Sequence, residues 1–516
     1  MAGYNVLQKE HPHYAGRLIG MQTLRRNLRL WLLLPGLLVL ISCSSLMSCS
    51  SGGSSSLGAS FTLGGYVSGL TGSGLKLSYN GAPLPISRNG AFTASTAVTT
   101  GTTYTITIVT QPTSPVQTCV VSNGSGTVDT ADVTSVRVFC PQAAGTFAYV
   151  VTGGTPPLVL GSIAVYSIDA STGALKFVPG SAVSTGSSVI SLQLIPGSSF
   201  AWALNFGDIT QVDNGGVYDY TVNATTGLLT PVAGNPFFAL NGTAETPPGC
   251  PAGVSGLGLT DAVTFPATGA FGYASNAMVG NATNVGVWSF TFDPVSGAPT
   301  GLGSSAPGAC SSSPVTVDPS AEFAYFGGYA STALDAPGLY AFTIDAMSGA
   351  LTAVAGGPWM IGNTPNAVVT IDPTGQFAYA PEGSLIYAFK IDAASGALTP
   401  IAGSPFTLPA TASAMAIEAT GQYAYVSTAK GLSAYSIDFS TGALSPVGSP
   451  VSLVNAQTLR IDPSGQFLYV AAAAGSVGQQ GTYAYTIDVS TGALTAVAGS
   501  PFAVGTMTPA AMAIVN

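Results

Sequence analysis

Histidine is almost absent from this sequence. The 516 residues contain two, His11 and His13, and both precede an apolar run that reads as an export signal, so the mature chain has no imidazole. Ser-His-Asp catalysis is thereby excluded, and with no CxxC spacing either, so are zinc sites built on His or paired Cys. Charge is equally scarce, at 6% of residues, with 12 Lys and Arg against 21 Asp and Glu. Nucleic-acid binding needs clustered cations, so a nucleic-acid partner is excluded as well. The apolar run Leu30–Ile41 is too short to span a bilayer comfortably.

What is present begins with that run. Arg25, Arg26 and Arg29 precede it, and it ends in Leu40-Ile41-Ser42-Cys43, the order of a signal peptide with a bacterial lipobox, in which the Cys is lipidated and becomes the mature N-terminus. Residues 1–43 are therefore read as signal peptide, with Met21 as a plausible true start. Cys49 is a second lipidation candidate, poorer because Met47 is bulky. An uncleaved anchor helix is the alternative. Neither Cys is followed by Asp (Ser44 or Ser50 stands there), which points to lipid anchoring in the cell envelope at the outer membrane. Removing residues 1–43 leaves seven basic and twenty acidic residues, a net charge of −13.

Residues 44–59 are mostly Ser and Gly, a flexible tether. Residues 60–140 alternate apolar and polar between Gly, Asn and Pro turns and read as a small β-sandwich. In an oxidising compartment the remaining cysteines pair as disulfides, Cys119 with Cys140 and Cys250 with Cys310.

From residue 144 to 516 the chain repeats itself. An aromatic recurs as Phe147, Phe200, Phe271, Phe323, Phe377, Tyr423 and Phe467; a Gly recurs as Gly173, Gly227, Gly297, Gly349, Gly396, Gly442 and Gly492. Each unit carries four period-two segments, named strands A to D, with Asp-Pro-x-Gly between A and B and Ser/Thr-Gly between C and D as turns. Seven four-stranded units predict an all-β, seven-bladed β-propeller. The first unit lacks a strand A and the last is followed by Ala511-Met512-Ala513-Ile514-Val515, so the C-terminal strand is expected to complete the first blade and close the ring.

Asp-Pro-x-Gly-x-Phe-x-Tyr followed by Ser/Thr-Gly-Ala-Leu resembles the repeat of the seven-bladed propeller lactonase family, which includes bacterial 6-phosphogluconolactonase. The resemblance implies the fold and, as an expectation, lactone chemistry at a central channel bearing His, Arg and Glu. This propeller offers no His and one Arg, Arg460. Arg460 falls on strand A of the seventh unit, where other units carry Gln193, Thr264, Thr316, Thr370, Ala416 and Ala513. It reads either as a binder of an anionic ligand or as a structural partner of a neighbouring carboxylate such as Glu418. Glu382, Asp208, Asp213, Asp335 and Lys430 fall in BC loops, on the face of the usual ligand mouth. Glu382, Asp208 and Arg460 are the catalytic candidates. Carboxylates there could hold Ca²⁺, against the plainer reading of solvated loop acids; the repeated corner Asp is read as capping its own turn.

Two functions follow. The first is a monomeric, envelope-displayed propeller that binds a protein or glycan through its looped face without catalysis. The alternative is a lactonase-like hydrolase or isomerase acting on a sugar or aryl lactone.

Overall fold

The computed structural model describes residues 59–141 and most of 146–515, apart from stretches that include 208–213, 241–262, 276–286 and 331–337. The described residues form strands and no α-helix.

The first domain is two four-stranded sheets over one core. Gly90–Thr99, Ser60–Ser68, Val133–Phe139 and Val120–Ser122 make one sheet, and Ala82–Pro85, Lys76–Tyr79, Thr103–Thr110 and Ser125–Thr127 the other. Leu63, Val67, Val136 and Val138 of the first face Leu77, Tyr104 and Ile106 of the second, the alternation expected of a sandwich. Ala82–Pro85 and Ser125–Thr127 are strands that the sequence pattern did not reveal. Ala82–Pro85 carries two prolines, tolerated because it is an edge strand, and the Asn80-Gly81 turn before it has both φ values positive, 46° and 88°, as a tight hairpin requires. Cys119 and Cys140 are bonded, joining the paired strands Val120–Ser122 and Val133–Phe139 at one end.

Seven antiparallel sheets follow among the described residues, each a path of four strands, and four of them carry a short fifth strand beside it. Blade 5 shows the unit: strand A Thr370–Ile371, B Phe377–Glu382, C Leu385–Ile391 and D Leu398–Pro400. In blade 1 the innermost strand is Thr508–Val515, paired with Phe147–Gly153 in the register Met512↔Val150 and Ala513↔Tyr149. The expected closure is thus formed.

The recurring Phe and Gly explain how blades join. Each corner Gly between strands C and D has positive φ, +68° to +74°, and the recurring aromatic of the preceding blade packs on it where a Cβ would stand. The contacts run Phe147 to Gly227, Phe200 to Gly297, Phe271 to Gly349, Phe323 to Gly396, Phe377 to Gly442, Tyr423 to Gly492 and Phe467 back to Gly173. This circuit closes on itself, so the seven sheets form a ring. In six of the seven seams the Tyr two residues beyond that aromatic also donates its hydroxyl to the same glycine's carbonyl, from Tyr379 to Gly442 at 2.8 Å to Tyr425 to Gly492 at 3.1 Å. These tyrosines are buried, and burial raises the pKa of each, to about 12 for Tyr273.

The corner acids cap their own turns. Asp169 Oδ1 accepts from the amides of Ser171 and Thr172 and from Ser171 Oγ, which holds its carboxyl down at about 2. Asp318, Asp372, Glu418 and Asp462 do the same between strands A and B.

Strand D is kinked, a feature that the repeat carries as Ala-Gly-Ser-Pro-Phe and related forms. In five blades it ends after three residues, and in four of these a Ser or Asn side chain beyond it accepts from a strand C amide: Ser181 from Val165, Asn235 from Asp219, Ser404 from Ala388 and Ser500 from Ala484.

The sandwich touches the propeller at its AB and CD turns. Arg137, buried, lies between the rings of Tyr66 (5.1 Å) and Phe439 (4.5 Å) and donates to the Phe439 carbonyl. Ser68 Oγ donates to Ala419 O, and Arg88 pairs with Glu322 at 3.7 Å. All three propeller partners belong to blades 4 and 6.

Candidate functional site

Strand pairing fixes which residues share the innermost row. Gln193, Thr264, Thr316, Thr370, Ala416, Arg460 and Ala513 each stand opposite the Trp or Tyr of strand B, at residues 202, 273, 325, 379, 425, 469 and 149. They are therefore equivalent positions around one axis, as the repeat implied. Two are spent on joining strands A: Thr264 Oγ1 donates to Val315 O of blade 4, and Thr316 Oγ1 to Val369 O of blade 5.

Arg460 is the cation of this row. Its Nη1 donates to Thr458 Oγ1 at 3.2 Å and to Leu459 O at 2.9 Å. The expected partnership with Glu418 is not formed. The Glu418 carboxylate is buried in the AB turn of blade 6, where it accepts from the amides of Thr420, Gln422 and Tyr423 and from the Thr420 hydroxyl. Glu418 replaces the turn Asp of other blades, and its longer side chain reaches the same amides. Burial nevertheless raises its pKa.

The BC face carries the remaining polar groups. Glu382 ends strand B of blade 5 opposite Leu385, and its carboxylate rests against Gly362 in the connection from blade 4, where a Cβ would stand 2.6 Å from Oε2. Lys430 lies exposed in the corresponding turn of blade 6, Ala429-Lys430 between Thr428 and Gly431. Asp208, Asp213 and Asp335 lie outside the described residues, as do Cys43, Cys49 and Cys250. Cys310 is in Ala309–Ser311, a short strand on the connection into blade 4. Among the described residues no three of His, Cys, Asp and Glu gather as a metal site.

Sequence reasoning passed over two features here. Ser427 and Lys430 have Ser-x-x-Lys spacing, as do Ser73 and Lys76. The Ser427 hydroxyl, however, is buried and engaged with the Ala414 amide at 3.0 Å and carbonyl at 3.4 Å, which leaves it no role as a nucleophile. The second is Asp219, a fully buried acid on strand C of blade 2. The signal for it was in the sequence, because Phe200-Ala201-Trp202 breaks the Phe-x-Tyr pattern.

No protein-family profile matches the chain, and no curated protein is similar to it in sequence. Solved structures are similar in fold. A candidate 6-phosphogluconolactonase from Bacteroides uniformis superposes with a TM-score of 0.53 at 16% identity, covering 72% of this chain and 100% of that one. The periplasmic gluconolactonase PpgL of Pseudomonas aeruginosa gives 0.53, 16%, 72% and 99%. A hypothetical selenium-binding protein from Sulfolobus tokodaii gives 0.51, 12%, 72% and 94%. The likeness establishes the propeller fold over most of the chain, and the differing names show that this fold hosts more than one function.

Proposed function

We propose that this protein is an exported, lipid-anchored propeller of the lactonase type, which opens a sugar or aryl lactone at the axis of its BC-loop face. The observation that carries the reading is the likeness along the whole propeller to proteins named as gluconolactonases, one of them periplasmic, joined to an N-terminal sequence that reads as an export signal. In this reading a water oxygen adds to the lactone carbonyl carbon while Glu382, or Asp208, takes its proton. The Arg460 guanidinium faces the developing oxyanion. The ring C–O bond then breaks, the leaving oxygen is protonated, and a hydroxy acid is released.

A second reading, a protein or glycan binder without catalysis, has its own support: the mature chain lacks imidazole, and Arg460 is already bonded to Thr458 and Leu459. A panel of sugar and aryl lactones, with and without Ca²⁺, separates the two. Catalysis by these residues predicts turnover that falls by about a hundredfold or more in Glu382→Ala or Arg460→Ala. Absence of turnover across the panel leaves the binder, and glycan-array binding through the same face would then be the test.

A further inference from the structure

One seam of the ring lacks the bond that closes the other six. Between blades 2 and 3 the tyrosine position holds Trp202, and its register partner on strand C is Asp219. The same strand C position carries Val165, Ser289, Ala341, Ala388, Ala434 and Ala484 in the other blades, so the acid is peculiar to this seam. Asp219 is 0% exposed. Neither of its carboxyl oxygens, nor Trp202 Nε1, has a hydrogen-bond partner among the described residues. Its Oδ2 lies against Gly297, the corner glycine of blade 3, in the space a Cβ would occupy. Elsewhere that corner receives a tyrosine hydroxyl.

The chemistry of the pair is constrained. An ionised carboxylate is an acceptor only and cannot bond a carbonyl; a neutral carboxyl carries an O–H donor and can. A buried charge without a partner is strongly disfavoured, and among the described residues no cation acts on this carboxyl. The titratable neighbours are Tyr218 and Tyr220 on its own strand, and Asp293 at the start of the blade 3 corner. Asp293 is exposed, its Oδ1 bonded to the amides of Val295 and Ser296. From strand B comes Trp202, and from the strand D kink Asn235, which is occupied with the Asp219 backbone. Burial pushes the carboxyl up to about 7.

We propose that the seam between blades 2 and 3 is a protonation-controlled latch: a neutral Asp219 carboxyl replaces the tyrosine hydroxyl of the other seams, and its ionisation loosens this seam alone. The sign is fixed by the raised proton affinity. The latch is fully made below the ordinary carboxyl range and is lost as pH rises through about 7. Between those limits the opening constant of the seam should rise about tenfold per pH unit, then level off.

Hydrogen–deuterium exchange of the full mature protein, corrected for intrinsic rates, reads this directly. Peptides spanning Phe200–Leu204 and Val287–Phe292 should lose protection with that slope, while those around Tyr379 and Tyr425 stay constant. Asp219→Asn, which keeps a donor and cannot ionise, should flatten the profile. Infrared difference spectra should show, among the carboxylic-acid C=O bands near pH 6, one that Asp219→Asn removes while those of other buried carboxyls such as Glu418 stay; this readout serves also if that variant folds poorly in exchange experiments. Protection at the seam that is independent of pH, an equal slope in Asp219→Asn, or absence at pH 6 of an acid band that Asp219→Asn removes would overturn the proposal. None of these outcomes depends on lactone turnover.

Discussion

The ring rests on seven glycines whose missing Cβ lets an aromatic of the preceding blade lie on the backbone, and this can be tested at Gly227. Its φ is +71°, and an added Cβ would stand 2.5 Å from Phe147 Cδ1. Gly180, in the strand D kink of blade 1, supplies the control, with φ of +74° and nothing within 4 Å. Gly227→Ala and Gly180→Ala thus share the left-handed backbone cost, roughly 1–2 kcal/mol. Only Gly227→Ala also drives a methyl into a ring that cannot retreat, which adds about 1–3 kcal/mol. The carbonyl of the same glycine receives Tyr149 Oη at 2.9 Å, and displacing the corner weakens that bond too. Urea denaturation of the three proteins measures the difference. In a Phe147→Leu background the excess cost at Gly227 should shrink by about 1 kcal/mol, because the smaller side chain yields room. Equal costs at the two glycines, or an excess untouched by Phe147→Leu, would refute the account of the seams.

Three further outcomes concern the cysteines. Non-reducing peptide mapping should recover Cys119 linked to Cys140 and Cys250 linked to Cys310, with free thiols at both members of the second pair ruling that bridge out; Cys119→Ser with Cys140→Ser, opening a loop of sequence separation 21, should cost about 3 kcal/mol in the sandwich domain. Cys43→Ala should abolish lipidation and leave the protein unprocessed or soluble in cell fractionation, whereas unchanged membrane attachment would move the lipid to Cys49.

The ring was legible because its determinants repeat. An aromatic-x-aromatic pair and Ser/Thr-Gly recur seven times in the same order, so one unit's strands predict all seven, and the orphan strand Ala511–Val515 could only complete the unit lacking strand A. The kink of strand D was equally periodic, as Gly403-Ser404-Pro405 and Gly499-Ser500-Pro501, but its meaning lay in a side-chain bond to a strand C amide sixteen residues away. No local pattern signals that. The partnership assigned to Arg460 failed for a related reason. Glu418 lies close in the repeat scheme, yet the turn amides of its own blade claim the carboxylate first. The candidate site was the least legible part, because a functional polar group is a departure from the repeat, and departures such as Trp202 and Asp219 stand out only after the rule that they break has been given a physical role.

The docking of the sandwich follows the same logic of departure. The residue after the corner Asp is Val489 in blade 7 and 64% exposed; in blade 6 it is Phe439, whose ring Arg137 covers at 4.5 Å. Val295 and Met347, one position further along the corners of blades 3 and 4, are 87% and 93% exposed. Blade 6 alone thus offers a flat aromatic at that place, and the buried guanidinium, less tightly hydrated than an ammonium, stacks there at little cost. The sandwich is thereby held on the AB and CD turns. Antiparallel strands place the BC turns, with Glu382 and Lys430, at the opposite end of each blade. The described contacts of the first domain are therefore made at the end of the blades opposite the BC turns, the face on which both the hydrolase and the binder readings depend.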